Sequence, residues 1–158
     1  MQIIRKNGGY NLNIPYSRFK EIEANARFCF KKYSTRNAIL IFNYCSNIEC
    51  SSLFLDGNIG GFTHKSEFDD NYFYVCLNNK YDTYSQKIIA AHELGHIVLH
   101  GDEPLNTFLE DECSELQEYE ANIFAIEFMP QIQPYNMTWN NFTPNELQNY
   151  IRSKLRSR

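Results

Sequence analysis

Two histidines and a glutamate form the pattern of clearest chemical meaning in this sequence. His92, Glu93 and His96 stand in the run A-A-H-E-L-G-H-I-V-L-H, where apolar residues recur at helical spacing. Residues four apart differ by about 40° around an α-helix, so the two imidazoles share one face. Neutral imidazoles on one face can bind a divalent cation, most often Zn²⁺. The spacing therefore predicts a metal site at His92 and His96.

Glu93 lies at the edge of that face, about 100° around the helix from His92. From there its carboxylate can accept a proton from a water molecule that the metal activates, without occupying a coordination position. A zinc ion that only holds a fold together does not need such a glutamate, so Glu93 favours catalysis. Gly95, between the two histidines, has no side chain and lets another backbone or a substrate strand approach closely.

A catalytic zinc site also needs a third protein ligand and one open position. The segment E-Y-E-A-N-I-F-A of a second predicted helix offers Glu118 and Glu120. These lie about 200° apart around that helix, so only one can face the metal. Asn122 shares the face of Glu118, as do the small residues Ala121 and Ala125, and its amide can orient a ligand histidine. We predict Glu118 as the third ligand, with Glu120 as the alternative.

The other histidines and the tyrosines are weaker candidates. His100 lies one turn beyond the histidine pair and could extend it, but we predict that it caps the C-terminal end of the helix. His64 is predicted to lie in a loop, with a role in substrate binding as the alternative. Tyr72, Tyr74 and Tyr81 could offer a hydroxyl to an oxyanion, although packing is the expected role of each.

The elements that must position these residues follow from the spacing of apolar residues and from Gly and Pro. Helices are predicted over residues 17–32, about 35–44, 85–100, 113–130 and 144–158, and the intervening residues 51–78 are predicted to be rich in strands. Ser85 is the expected N-cap of the helix that carries the histidines, and Gly101 is expected to end it. Pro130 is expected to stop the helix that carries Glu118.

This order of elements predicts an α+β fold in a single domain spanning residues 1–158. Its core is expected at about 19–130, followed by a short tail at 131–158. The H-E-x-x-H helix resembles that of zincins, which implies a zincin-like arrangement: this long helix packs on a small, mostly antiparallel sheet. The helix that bears the candidate glutamates packs beside it.

Charge and composition argue against other classes of protein. The net charge of −4 does not fit a nucleic-acid surface, which needs clustered Lys and Arg. The basic residues of the tail are expected to form a solvated, frayed helix end; they are Arg152, Lys154, Arg156 and Arg158. No run approaches the ~18 apolar residues of a membrane span, so no membrane association is expected. Five cysteines without a C-x-x-C pair are typical of thiols in a reducing compartment, which predicts a cytoplasmic location.

The two motifs together resemble the ImmA/IrrE family of metallopeptidases. H-E-L-G-H-x-x-L-H is followed here by E-x-E-A-N-x-F-A and by the closing pair Met129-Pro130, as in that family. Upstream, the segment Gly61-Phe62, a strand running to Asn78, and Gln86 shortly before the histidines are also similar. The resemblance covers roughly Phe19 to Pro130.

This resemblance implies a set of roles. His92 and His96 would be zinc ligands, Glu93 the general base, and a glutamate of the second motif the third ligand. The spacing Glu118-x-x-x-Asn122 is similar to that of other glutamate-type zincins and supports Glu118. Members of the family are endopeptidases that cleave helix-turn-helix transcriptional repressors, often in phages or mobile elements. The implied partner is therefore a separate DNA-binding repressor.

Three hypotheses about function follow. The first is a peptidase that inactivates a repressor by limited cleavage, with a substrate strand paired to an edge of the sheet. The second is an anti-repressor that binds its target without cutting it and keeps zinc only structurally; the presence of Glu93 favours the first over this one. The third, a direct DNA-binding regulator, fits poorly with the acidic charge. The sequence assigns no oligomeric state.

Overall fold

Five α-helices and five strands make up the residues that the structure describes. The computed structural model describes residues 3–6, 9–12, 14–102, 112–135 and 142–158, with side chains from residue 14 onward except at 112–114. The strands are β1 (Ile3–Lys6), β2 (Gly9–Leu12), β3 (Ile48–Leu53), β4 (Gly61–Lys65) and β5 (Phe73–Asn78). The helices are α1 (Tyr16–Tyr33), α2 (Ala38–Tyr44), α3 (Thr83–His100), α4 (Glu112–Phe128) and α5 (Pro144–Ser153), with a 3₁₀ turn at Pro130–Ile132. None of the described helices has the combination of length and apolar character that a membrane span requires.

The central sheet has three strands in the order β3-β5-β4. The predicted α+β class is confirmed, but the sheet is mixed rather than mostly antiparallel, since β5 runs parallel to β3 and antiparallel to β4. The reason is the path of the chain, which leaves β3 at one edge of the sheet and crosses to β4 at the other edge. The β4–β5 hairpin then places β5 between them, parallel to β3. The Asn78 amide group fixes this connection by donating to the carbonyl oxygens of Leu55 and Ile59. The hairpin of β1 and β2 is separate from this sheet, and no pattern in the sequence had predicted it.

Strand β4 lies along α3. At its start, a Cβ on Gly61 would lie 3.0 Å from the Cγ2 atom of Ile89 on the helix, so the strand approaches closely there. Beyond its middle, the Nζ atom of Lys65 donates to the carbonyl oxygen of Gly101 at 2.7 Å, just after the helix ends. These contacts hold an edge strand of the sheet against the helix that carries the histidines.

Helix α4 packs against α3 at Gly95. A Cβ there would lie 3.0 Å from the Cβ atom of Phe124 and 3.2 Å from the Cα atom of Ala121. Ala121 and Ala125 are fully buried, as expected for small residues that let two helices approach. The backbone that uses the space at Gly95 is therefore that of α4. Around this contact the core contains the buried side chains of Ile88, Ile123, Phe124, Ile126 and Phe128.

Gly95→Ala is expected to destabilise the protein by about 1–3 kcal/mol, because the added methyl group must displace α4 from α3. Metal binding should weaken as well, since the displaced helix carries Glu118. Denaturant unfolding and competition with a chromophoric chelator measure the two effects. Tyr84→Ala, at an exposed position of the same helix, is the control; equal stability of the Gly95 and Tyr84 variants would contradict this account.

Helix α3 begins two residues earlier than predicted. Its N-cap is Asp82, whose carboxylate accepts the backbone N–H of Ser85 at 2.7 Å. This hydrogen bond lowers the pKa of Asp82. Ser85, the predicted N-cap, is buried inside the helix, where its hydroxyl oxygen accepts the backbone N–H of Arg156. Asp and Ser are comparable N-caps, so the prediction of Ser85 was wrong by three residues without any change in the type of cap.

The basic residues from Arg152 to Arg158 are exposed, as predicted, but they do not form the frayed end of a helix. Helix α5 ends at Ser153, and Leu147 and Ile151 on it are buried. The residues that follow pair with the segment ahead of α3: the N–H of Asp82 donates to the carbonyl oxygen of Arg156 at 2.8 Å, and the N–H of Arg158 to that of Lys80 at 2.8 Å. The basic side chains remain exposed, but the backbone helps to hold the start of α3.

Candidate metal centre

His92, His96 and Glu118 converge at the contact between α3 and α4. The Nε2 atoms of His92 and His96 are 3.1 Å apart. One carboxylate oxygen of Glu118 lies 3.1 Å from the Nε2 atom of His92, and the other lies 2.9 Å from that of His96. Among the described residues, these three form a group whose ligand atoms all lie within 4.8 Å of one another. The structure thus brings together the two predicted histidines and the preferred glutamate.

The spacing of these three side chains fits a bound zinc ion. Bonds of about 2.0–2.1 Å at tetrahedral angles place ligand atoms about 3.3 Å apart, a few tenths of an ångström more than the distances above. The side chain of Glu118 remains 42% exposed, whereas those of His92 and His96 are 15% and 9% exposed. Within the described part of the chain, the centre is therefore open on the side of Glu118, as a site that must admit a substrate requires.

Asn122 sets the tautomer of His92. Its side-chain oxygen lies 2.7 Å from the Nδ1 atom of that histidine. An amide oxygen only accepts, so Nδ1 carries the proton and donates it. In the neutral ring Nε2 then keeps a free electron pair, which faces His96 and Glu118. Asn122 thus makes the contact that the sequence predicted for it.

His92 and Glu118 shift one another's pKa values. Burial disfavours the charged form of His92, but the Glu118 carboxylate outweighs this and raises the pKa of His92 to about 9. Burial also opposes the charge of Glu118, but His92 and His96 lower its pKa well below the usual range. A proton on His92 therefore balances Glu118, and a divalent cation would take over that role.

Asn122→Ala is expected to weaken metal binding by about 10–100-fold, because His92 loses the hydrogen bond that fixes its tautomer and ring orientation. Asn122→Asp is the matched control: its carboxylate still accepts from Nδ1, so affinity should stay near that of the wild type. Chelator competition measures both. Wild-type affinity in Asn122→Ala would show that the histidine needs no such support.

Glu93 is held beside the cluster by the sheet. Its side chain is buried, and its Oε2 atom accepts a hydrogen bond of 2.6 Å from the Thr63 hydroxyl on β4. The sequence identified Glu93 but not Thr63. Alternation along the strand would have placed Gly61, Thr63 and Lys65 on one face, yet no pattern shows that this face meets Glu93.

Glu120, the alternative ligand, lies apart from the cluster. It is buried and forms an ion pair with Arg18 of α1, in which the Nη2 atom donates to Oε1 at 3.1 Å and the Nε atom donates to Oε2. The Nε2 atom of His100 lies 3.1 Å from the same Oε1 atom. Burial opposes the charge of Glu120, but His100 and Arg18 lower its pKa. His100 is fully buried in this network, so the prediction that it caps the helix end is wrong.

His64 and the tyrosines lie away from the three ligand candidates. His64 belongs to β4 rather than to a loop, and its ring stacks on Tyr74 with centroids 6.4 Å apart. It neighbours Thr63 in the strand, so it faces the side of the sheet opposite α3. The hydroxyl of Tyr72 lies 3.5 Å from a carboxylate oxygen of Glu49. Tyr81 is buried in the core.

Comparison with known protein families places this site in context. The family model Peptidase M78, described as the IrrE N-terminal-like domain, matches residues 57–136. This range contains β4, β5, α3 and α4 and therefore both motifs. The chain belongs to this family. Curated proteins and solved structures give no match.

Membership of the IrrE N-terminal-like family implies a metallopeptidase-type function and a metal in the site. The resemblance seen in the sequence is thereby confirmed. In this member of the family, the cluster of His92, His96 and Glu118 offers the donors that such a metal needs. Arg18 and helix α5 lie outside the matched residues, although Arg18 contacts α4 directly.

Proposed function

We propose that this chain is a zinc-dependent endopeptidase that makes a limited cut in a protein substrate. The proposal rests on one observation: the side chains of two histidines and a glutamate converge beside a second, buried glutamate. Three protein ligands leave a fourth position free, as catalytic zinc sites require. A structural zinc site is usually closed by four protein ligands and needs no carboxylate such as that of Glu93.

When bound, the zinc ion would supply an activated water molecule and polarise the peptide carbonyl. Glu93 would take a proton from that water and pass it to the departing amine. Its Oε2 atom accepts the hydrogen bond of Thr63, which would hold the carboxylate during that transfer. His92, His96 and Glu118 would hold the ion, and Asn122 would keep the ring of His92 in place.

We propose that the substrate binds as an extended strand along β4. This strand is an edge of the sheet in the part of the chain that the structure describes, and it is the one that contacts Glu93. Pairing with an edge strand would hold the peptide through its backbone, with little dependence on sequence. Specificity for one cutting site would then come from a few side chains of the substrate.

The substrate that we propose is a helix-turn-helix repressor of a phage or mobile element, cut in the cytoplasm. The support is the resemblance of both motifs to the ImmA/IrrE family. The net charge of −4 supports a protein partner rather than direct contact with DNA. Among the described residues, Cys29, Cys45, Cys50 and Cys76 are free thiols, which fits a reducing compartment.

The test is metal content together with cleavage of the repressor encoded next to this gene. The proposal expects about one zinc ion per chain and a single cut, lost on treatment with a chelator and restored by zinc. Bound zinc with tight repressor binding but no cut would instead show a non-cleaving anti-repressor. Absence of metal from the wild type, even after incubation with zinc, would overturn the metal centre itself.

A further inference from the structure

Thr63 makes the contact that fixes the Glu93 carboxylate. The hydroxyl donates to Oε2 at 2.6 Å, and the two residues are only 1% and 4% exposed. A buried carboxylate depends strongly on such a donor, because water is not there to replace it. The hydroxyl of Thr63 therefore holds the Oε2 side of the Glu93 carboxylate against β4.

The backbone of Thr63 has an orientation that the neighbouring hydrogen bonds reveal. In the ladder between β4 and β5, the N–H of Ser66 donates to the carbonyl oxygen of Tyr72 at 2.8 Å, and the N–H of Asn78 donates to that of Gly60 at 2.7 Å. In antiparallel pairs, hydrogen-bonded and non-hydrogen-bonded positions alternate along the strand. Thr63 is three residues from both Gly60 and Ser66, so it occupies a non-hydrogen-bonded position.

At such a position the N–H and C=O groups point away from the partner strand. Thr63 faces Val75 of β5 across the ladder, so its own backbone groups point to the outer edge of β4. Within the described ranges, no further strand pairs with that edge. Thr63 as a whole is only 1% exposed, so its backbone groups are covered, whereas Gly61 and Lys65, which share its orientation, are partly exposed. Thr63 therefore reaches the site through its side chain, which donates to Glu93.

We propose that Thr63 is a positioning residue for the general base. Its hydroxyl would hold the carboxylate of Glu93 at a fixed distance from β4. The inference rests on the proposed peptidase function. A shift of about 1 Å in a reacting group can lower the rate about 100-fold, so the short contact has a measurable consequence.

The test compares the loss of the hydroxyl with its retention. Thr63→Val keeps the volume and removes the donor, whereas Thr63→Ser keeps the donor. We expect Thr63→Val to lower kcat about 10–100-fold, with KM and zinc affinity within about twofold of the wild type. Thr63→Ser should recover most of the loss. Should Thr63→Val fail to fold, Thr63→Ala compared with Thr63→Ser takes its place.

Ser52→Ala is the matched control. Ser52 lies on β3, on the same face of the sheet as Thr63, and its hydroxyl donates to the Oε1 atom of Gln86 on α3 at 3.2 Å. This variant also removes a hydroxyl that joins sheet and helix, but not one bound to Glu93. It should cut at the wild-type rate. An equal loss in Ser52→Ala and Thr63→Val would show a general effect on packing and overturn the proposal.

A second measurement does not depend on cleavage. In protein loaded with Co²⁺, the visible spectrum of Thr63→Val should differ from that of the wild type, whereas the spectrum of Ser52→Ala should match it. The double variant Thr63→Val with Glu93→Gln should have the same spectrum as Glu93→Gln alone. If the wild type binds Co²⁺ and cuts nothing, the proposed function fails, and this spectrum alone decides the role of Thr63. A wild-type spectrum or a wild-type kcat in Thr63→Val overturns that role.

Discussion

Glu93→Gln is expected to lower the rate of peptide cleavage by about 10²–10⁴-fold while the protein keeps its metal. A glutamine cannot take a proton from the attacking water, but its amide oxygen can still accept the hydrogen bond from Thr63. Because that buried hydroxyl keeps a partner, the fold should remain intact. Cleavage rate, metal content and the thermal midpoint of one preparation test all three statements.

Two further variants serve as controls for this result. His92→Ala should lose both metal and cleavage, because it removes a ligand candidate and the partner of Asn122. Glu115→Gln, at an exposed position on α4, should change neither. If Glu93→Gln cuts at the wild-type rate, Glu93 is not the general base, whatever the metal content.

Glu118→Gln is expected to lose metal affinity, whereas Glu120→Gln is expected to lose stability. Loss of a residue that only hydrogen-bonds to a metal ligand weakens metal binding by about 10–100-fold. Glu118→Gln should weaken it by more than that, because it replaces a charged ligand candidate. Its effect on the stability of the metal-free protein should be small, since the side chain is 42% exposed. Chelator competition and denaturant unfolding separate the two quantities.

Glu120→Gln should instead destabilise the fold and leave metal affinity within about tenfold of the wild type. Removal of one partner from a buried ion pair typically destabilises by about 3–5 kcal/mol. We expect about 2–3 kcal/mol here, because Arg18 retains 26% exposure and can reach water. Loss of metal in Glu120→Gln, with retention in Glu118→Gln, would reverse the assignment of the third ligand.

The helical parts of the site could be predicted because their geometry is local. His92 and His96 share a face by spacing alone, and the angle between Glu118 and Glu120 showed that only one could face the metal. The spacing of four residues, about 40° around the helix, placed Asn122 with Glu118, and the hydrogen bond from His92 agrees with it. Each inference required only the period of a helix whose existence the apolar pattern made clear.

The remaining parts depend on contacts between distant segments. Thr63 meets Glu93 across 30 positions, and Arg18 meets Glu120 across 102, which no local pattern encodes. The sheet was expected to be mostly antiparallel by resemblance to zincins. The parallel pairing of β3 with β5 depends instead on how the chain crosses to β4, and the turn signals at Asp56-Gly57 are compatible with either path.

If the substrate binds along β4 as proposed, any protein that is cut must present an extended segment. A helix uses its own N–H and C=O groups internally and has none to offer to a strand, so a folded helical domain must first expose an extended segment. Local unfolding of the substrate would then precede cutting, and the rate would follow the population of the opened form. A substrate mutation that eases this opening by 1.4 kcal/mol should speed its cleavage about tenfold, with no change in the enzyme.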